Sequence, residues 1–140
     1  MGGIVLYIVN LTQHSITDEQ KLDGVREVSV RQEVTKLLTF DDLPSMEEVE
    51  ARARDLASVA KREGATAAMI GGAPYLMAYL ERALVERGIE PIYSYTKRDC
   101  TEERLPDGSV RKMMIFRHQG FVRPFPSEVN SELGEKLKLV

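Results

Sequence analysis

The stretch from Thr66 to Tyr79 limits the possible folds more than any other. An apolar run, Ala67 to Ile70, leads into Gly71 and Gly72, and Pro74 opens a segment with Leu76, Leu80 and Leu84 at helical spacing. That order predicts a buried strand, a tight glycine turn and a helix. Proline at the first helical position loses no hydrogen bond, because its missing N–H has no intrahelical partner there. Two glycines let the backbone come close to a ligand. A turn of this kind would aim free amide N–H groups and the positive end of a helix dipole at one point, a setting that suits phosphate or another anion. The same glycines also suit a plain strand-to-helix connection, since the full GxGxxG and P-loop patterns are absent. Both readings stand at this point.

The flanking sequence repeats the theme. Ile4 to Val9 is a continuous β-branched and aliphatic run, the mark of a strand buried on both faces and central in a parallel sheet. A polar loop, Asn10 to Ser15, follows, and Thr17 with Gln20 has capping-box spacing, which starts a short helix at about Asp18. Gly24 is its stop, Val25 to Val30 a modest strand, and Arg31 to Leu38 a short helix. Ser45 and Glu48 form a second capping box. Behind it Val49, Ala53, Leu56, Ala57 and Ala60 make one apolar stripe on a helix from Met46 to Arg62, with Gly64 as its stop. The helix opened by Pro74 runs to about Arg87, with Gly88 after it, and Ile89 to Tyr95 reads as a fourth strand. Asp99 to Glu103 and Val110 to Val122 then flank a turn containing Asp107 and Gly108, which predicts an antiparallel β-hairpin. In the tail after Pro124 and Pro126, Val129, Leu133 and Leu137 suggest a short terminal helix.

The expected fold class is therefore α/β and Rossmann-like: a mostly parallel sheet covered by helices through right-handed crossovers, with a C-terminal antiparallel β-hairpin. At 140 residues the chain fits one domain, with residues 1–98 as the α/β core, 99–123 as the hairpin and 124–140 as the tail. Charged residues at 29% beside hydrophobic ones at 43% point to a globular rather than a disordered chain. No apolar run reaches membrane-span length and no signal-peptide order opens the chain, so the expected location is cytoplasmic. Cys100 is the single cysteine, which excludes an internal disulfide and a multi-cysteine metal site. A net charge of −3 argues against a broad grip on duplex nucleic acid but not against a small anionic ligand.

In an open sheet of this class, ligands bind outside the carboxyl ends of the strands, where the strand order reverses. Three expected loops leave those ends. The first offers Asn10, Thr12, Gln13 and His14; the second Gly71, Gly72, Ala73 and Tyr75; the third Ser94, Tyr95, Thr96, Lys97 and Arg98. Backbone amides, amide side chains, tyrosine faces and a Lys-Arg pair make a nucleotide-like set. Lys97 and Arg98 equally fit a solvated pair at a strand end, and Tyr75 a packing role. His14 is the acid–base candidate in these loops, or else a hydrogen-bonding or capping residue. His118 in the late hairpin reads as structural. Two histidines and scattered carboxylates lack metal-site spacing, Asp41 and Asp42 fit a helix-start loop better than a metal site, and no cofactor motif appears.

The segment Asn10 to Gln20, with Gly71 to Leu76 and Tyr93 to Arg98, resembles the corresponding loops of small CRISPR-associated Rossmann-fold (CARF) proteins and their phage-borne relatives. The likeness spans roughly Ile4 to Arg98 in order of elements and is specific only in those stretches. It implies a homodimer that binds a cyclic oligoadenylate across paired sheet edges, in antiviral signalling or in opposition to it, and in some members cleaves the ring. Cleavage in that group implies metal-free attack of a ribose 2′-OH on the adjacent phosphorus. Lys97, Arg98 and the Gly71 and Gly72 amides would then neutralise developing charge, and Thr12, Gln13 or His14 would hold the hydroxyl in line. The expectation is thus a cytoplasmic binder of a nucleotide-derived second messenger, with a metal-independent phosphodiesterase or a non-catalytic interaction module as alternatives.

Overall fold

The computed structural model describes residues 6–126. Five strands form one sheet: β1 (Ile8–Leu11), β2 (Val25–Arg26), β3 (Ala67–Ile70), β4 (Glu90–Arg104) and β5 (Val110–Val122). Four helices occur among the described residues: α1 (Asp18–Leu22) between β1 and β2, α2 (Arg31–Leu38) and α3 (Met46–Arg62) between β2 and β3, and α4 (Pro74–Glu86) between β3 and β4. The sheet runs β2-β1-β3-β4-β5, parallel except for the antiparallel β4–β5 pair. The chain is therefore α/β with a mostly parallel sheet, and its strand order reverses between β1 and β3.

Alternation along the strands divides the core in two. Val9, Leu11, Ala68 and Ile70 face α2, α3 and α4, where Val34, Val49, Leu56, Leu76, Leu80 and Leu84 close the larger core. Ile8, Val25, Ala67, Met69, Ile92 and Phe121 make a smaller core on the opposite face, with Ile16 packed against it. Among the described residues, α1 alone of the helices lies on that side, beside β2 and β5, and it buries none of its own residues. Right-handed crossovers account for the split, since the β1-to-β2 connection moves one way across the sheet and the β2-to-β3 and β3-to-β4 connections move the other.

The helix starts follow local chemistry. The Thr17 side chain accepts from the Gln20 N–H while Gln20 returns to the Thr17 N–H, a complete capping box. Ser45 accepts from the Glu48 N–H, whereas the Glu48 carboxylate turns to Arg52 at 2.7 Å. α4 differs: Ala73 provides no side-chain cap and its first turn carries no acid.

Three expectations need correction. The first strand lies at Ile8–Leu11, so Asn10 is inside it rather than in the loop, and Ile4 and Val5 fall outside the described residues. The strand at Val25 ends at Arg26, where the chain must turn to begin α2. The fourth strand and the first hairpin strand are one continuous strand, because Ser94 to Arg98 pair with β5 instead of forming a loop. The expected terminal helix also lies outside the described residues.

Among the described residues, β4 beyond Ile92 pairs only with β5, so the hairpin's outer part is a two-stranded ribbon. Its register shifts once. Tyr95 opposes Gly120 and Thr96 opposes His118, so Gln119 is an extra residue, a β-bulge. Three residues apart, His118 and Phe121 would ordinarily point to opposite faces of the strand. The bulge puts both on the α1 side, with ring centroids 4.7 Å apart.

Candidate functional site

A cavity of about 710 Å³ opens at the carboxyl ends of β1 and β3 and beside Tyr93 to Thr96, where β4 leaves the main sheet, next to the reversal of strand order. Its size lies within the usual range for small-molecule sites. The β1–α1 loop contributes Thr12, Gln13 and His14, the β3–α4 turn Gly71 and Gly72, and the hairpin base Ser94, Thr96, Phe116 and His118. Three segments distant in sequence therefore share one hollow.

Asn10 builds the first wall. Its side chain is fully buried, and its Nδ2 donates to the His14 carbonyl at 2.7 Å and to Glu27 Oε1 at 2.8 Å. Its Oδ1 accepts from the Thr12 N–H at 2.9 Å and the Thr12 hydroxyl at 2.6 Å. All its polar capacity is thus spent shaping the loop, so Asn10 supports the cavity from behind rather than facing a ligand. Arg31 clamps the same loop through the Gln13 carbonyl at 3.0 Å, and the Gln13 side chain reaches Thr39 Oγ1 at 3.0 Å.

The second wall is the glycine turn. Gly72 has φ +152°, a conformation L side chains rarely adopt. A Cβ at Gly71 would stand 3.6 Å from Thr12 Cγ2, so the turn and the first loop are already in contact distance of each other. Beyond the turn, α4 presents an N-terminus without a side-chain cap toward this end of the sheet. Ala73 and Tyr75 do not line the cavity; Tyr75 packs edge-on against Phe40, centroids 5.3 Å apart. Phe40 in turn lies under the Arg52 guanidinium, 4.2 Å from its centroid, and Arg52 also bonds the Thr39 carbonyl.

The third wall corrects the expected Lys-Arg cluster. Because β4 continues through these residues, neighbours point to opposite faces. Thr96 and Arg98 share the face of His118 and Phe116, whereas Lys97 pairs with Arg117 on the other face and does not line the cavity. Arg98 stacks over the Phe116 ring at 5.5 Å, which places it at the rim. Among the described residues, the lining holds hydroxyls, amides, two histidines and two aromatic rings but no Lys, Arg, Asp or Glu. Tyr93 donates to Glu81 Oε2 at 2.5 Å. Burial, then the Glu81 hydrogen bond and charge, push its phenol well above the ordinary range, so it stays a neutral wall.

His118 and Ser94 are the residues sequence reading underrated. The His118 side chain is 2% exposed, with Nε2 2.9 Å from Asp23 Oδ2 and Nδ1 2.5 Å from Ser94 Oγ. Gln20 Nε2 donates to the same Ser94 oxygen at 3.2 Å. The array joins α1, its C-cap residue Asp23, β4 and β5 at the cavity wall. His14 is at the cavity mouth, its backbone carbonyl held by Asn10. No group of three or more metal-ligating side chains occurs among the described residues, and none of their helices is long and apolar enough to cross a membrane.

The family model described as "Uncharacterized protein MJ1673 family" matches residues 7–122. No curated protein and no solved structure gives a significant match.

Proposed function

The chain belongs to the MJ1673 family, and from the geometry of its cavity we propose that it binds a nucleotide-derived second messenger, a cyclic oligonucleotide, which it sequesters or degrades. The observation that carries this reading is the convergence of the β1–α1 loop, the Gly71–Gly72 turn and the hairpin base on one hollow at the strand-order reversal. Amide donors from Gln13 and Gln20 and the Thr96 hydroxyl suit phosphate and sugar oxygens, and the Phe116 ring offers a base a face to stack on. Positive potential comes from the uncapped start of α4 and from Arg98 at the rim, rather than from a basic floor.

A ring of several nucleotides would extend beyond one cavity, and a second copy of the chain would cover the remainder. What supports a homodimer is the ribbon outside the main sheet, which exposes Met114, Phe116 and Tyr95. An isolated two-stranded ribbon with such side chains in water is marginally stable by itself.

Calorimetry with cyclic di-, tri- and tetraadenylate tests the reading. At least one ring is expected to bind, and Arg98→Ala to weaken it about tenfold, the loss of one exposed charge contact worth roughly 1.4 kcal/mol. The absence of both heat and a thermal shift with all three rings would remove the proposal. Sedimentation of Met114→Lys/Phe116→Lys tests the dimer: the wild-type chain should sediment as a dimer and the variant as a monomer.

A further inference from the structure

We propose that Asp23, His118 and Ser94 form a catalytic relay in which Ser94 is the nucleophile, His118 its general base and Asp23 the group that fixes the imidazole. The substrate class, a phosphodiester, rests on the nucleotide reading above; the relay rests on its own geometry. Asp23 and His118 are 2.9 Å apart, and His118 and Ser94 are 2.5 Å apart. A carboxylate accepts only, so Asp23 takes the Nε2–H and leaves Nδ1 as a lone pair. Ser94 O–H then donates to Nδ1, the arrangement in which a serine hydroxyl is ready to lose its proton. Compared with the well-known serine hydrolase triad, the two ring nitrogens exchange roles.

Three features separate this array from a simple clamp between elements. Ser94 and His118 both line the cavity, so the hydroxyl meets whatever enters it. The imidazole is sealed from bulk water by its burial and by the Phe121 ring, which strengthens its hydrogen bonds. Donors also stand beside the serine oxygen, Gln20 Nε2 at 3.2 Å and the Thr96 hydroxyl at 3.4 Å, where they stabilise the charge on that oxygen as its proton leaves.

The step balances without a metal or redox partner. Ser94 Oγ attacks phosphorus as its proton passes to His118 Nδ1. The Oγ–P bond forms while the bond from phosphorus to one ribose oxygen breaks, and that oxygen takes the proton from the imidazolium. Water then attacks the phosphoserine, giving its proton to His118, and the Ser94 oxygen leaves and is reprotonated. A linear nucleotide with a terminal phosphate results.

A fluorophosphonate probe tests the relay without requiring the natural ligand. The wild-type chain is expected to gain one covalent adduct, mapped to Ser94 by peptide mass spectrometry, and Ser94→Ala to gain none. Asp23 is 43% exposed, so Asp23→Asn should fold with an unchanged melting temperature while labelling at least about 100-fold more slowly, because an amide can hold the wrong tautomer. An unlabelled wild-type chain, labelling of Ser94→Ala at the same rate, or an unaffected Asp23→Asn would each overturn the relay. If a ring binds but no adduct forms, the relay fails and the binding reading survives. If the adduct forms but no ring binds, the relay stands and the nucleotide reading fails.

Discussion

Arg123→Ala is expected to lower the unfolding free energy by about 3–5 kcal/mol, the usual cost of removing one partner from a buried ion pair. Glu90 is 3% exposed and opens β4; Arg123 follows β5. The guanidinium meets the carboxylate bidentately, Nε at 2.5 Å from Oε2 and Nη2 at 2.8 Å from Oε1. The hydrogen bond to Glu90 holds the guanidinium above its ordinary pKa, outweighing the opposite pull of burial. Alanine would leave a carboxylate at the base of the hairpin without its fork of donors. Urea denaturation should show the loss as a lower midpoint at unchanged slope. The double variant Glu90→Leu/Arg123→Met should recover much of it, because an apolar pair of similar volume incurs no desolvation penalty. A full-sized loss in the double variant would mean that the pair matters for something other than charge compensation.

Asn10→Ala is expected to cost about 3 kcal/mol and to abolish ring binding in the micromolar range. Four hydrogen bonds converge on this fully buried amide, and its removal leaves the Thr12 N–H without its acceptor and takes the shorter of two donors from the His14 carbonyl. The first wall of the cavity would then have no defined conformation, so binding should fall further than stability alone explains. Asn10→Asp separates the two halves of the effect. It keeps the acceptor for Thr12 but loses both donors and sets a carboxylate against Glu27, so it should be nearly as damaging. Thermal melts and calorimetry on both variants check this. Wild-type affinity in Asn10→Ala would show that the loop does not shape the site.

What was legible in the sequence was what is local. α1, α3 and β3 lie where capping boxes, the α3 stripe and the glycine stop place them, α2 spans the expected Arg31 to Leu38, and α4 ends one residue before the expected Arg87. A hollow between the first loop and the glycine turn was accessible too, since it follows from parallel strands and a reversal of their order, but its third wall is strand rather than loop. What failed was long-range or depended on parity. Treating Ser94 to Arg98 as a loop made Lys97 and Arg98 a cluster; within a strand they face opposite ways. The alternation of Tyr93, Tyr95 and Lys97 with Ser94, Thr96 and Arg98 was the available signal. Asn10 looked like a ligand-facing amide because nothing in a single sequence reveals that the loop consumes it. The Asp23–His118 contact spans 95 positions, and the bulge at Gln119 that aims the histidine has no signature in composition or periodicity.

The topology also sets an order of assembly. Two cavity walls come from residues before Gly88, yet the third needs Phe116 and His118 from the last described strand. Pairings between residues so far apart close late in folding. During synthesis, a ribosome-bound chain would hold the glycine turn and the asparagine-built loop well before it owned a basic imidazole beside Ser94, so any reactivity would arrive only with the finished molecule.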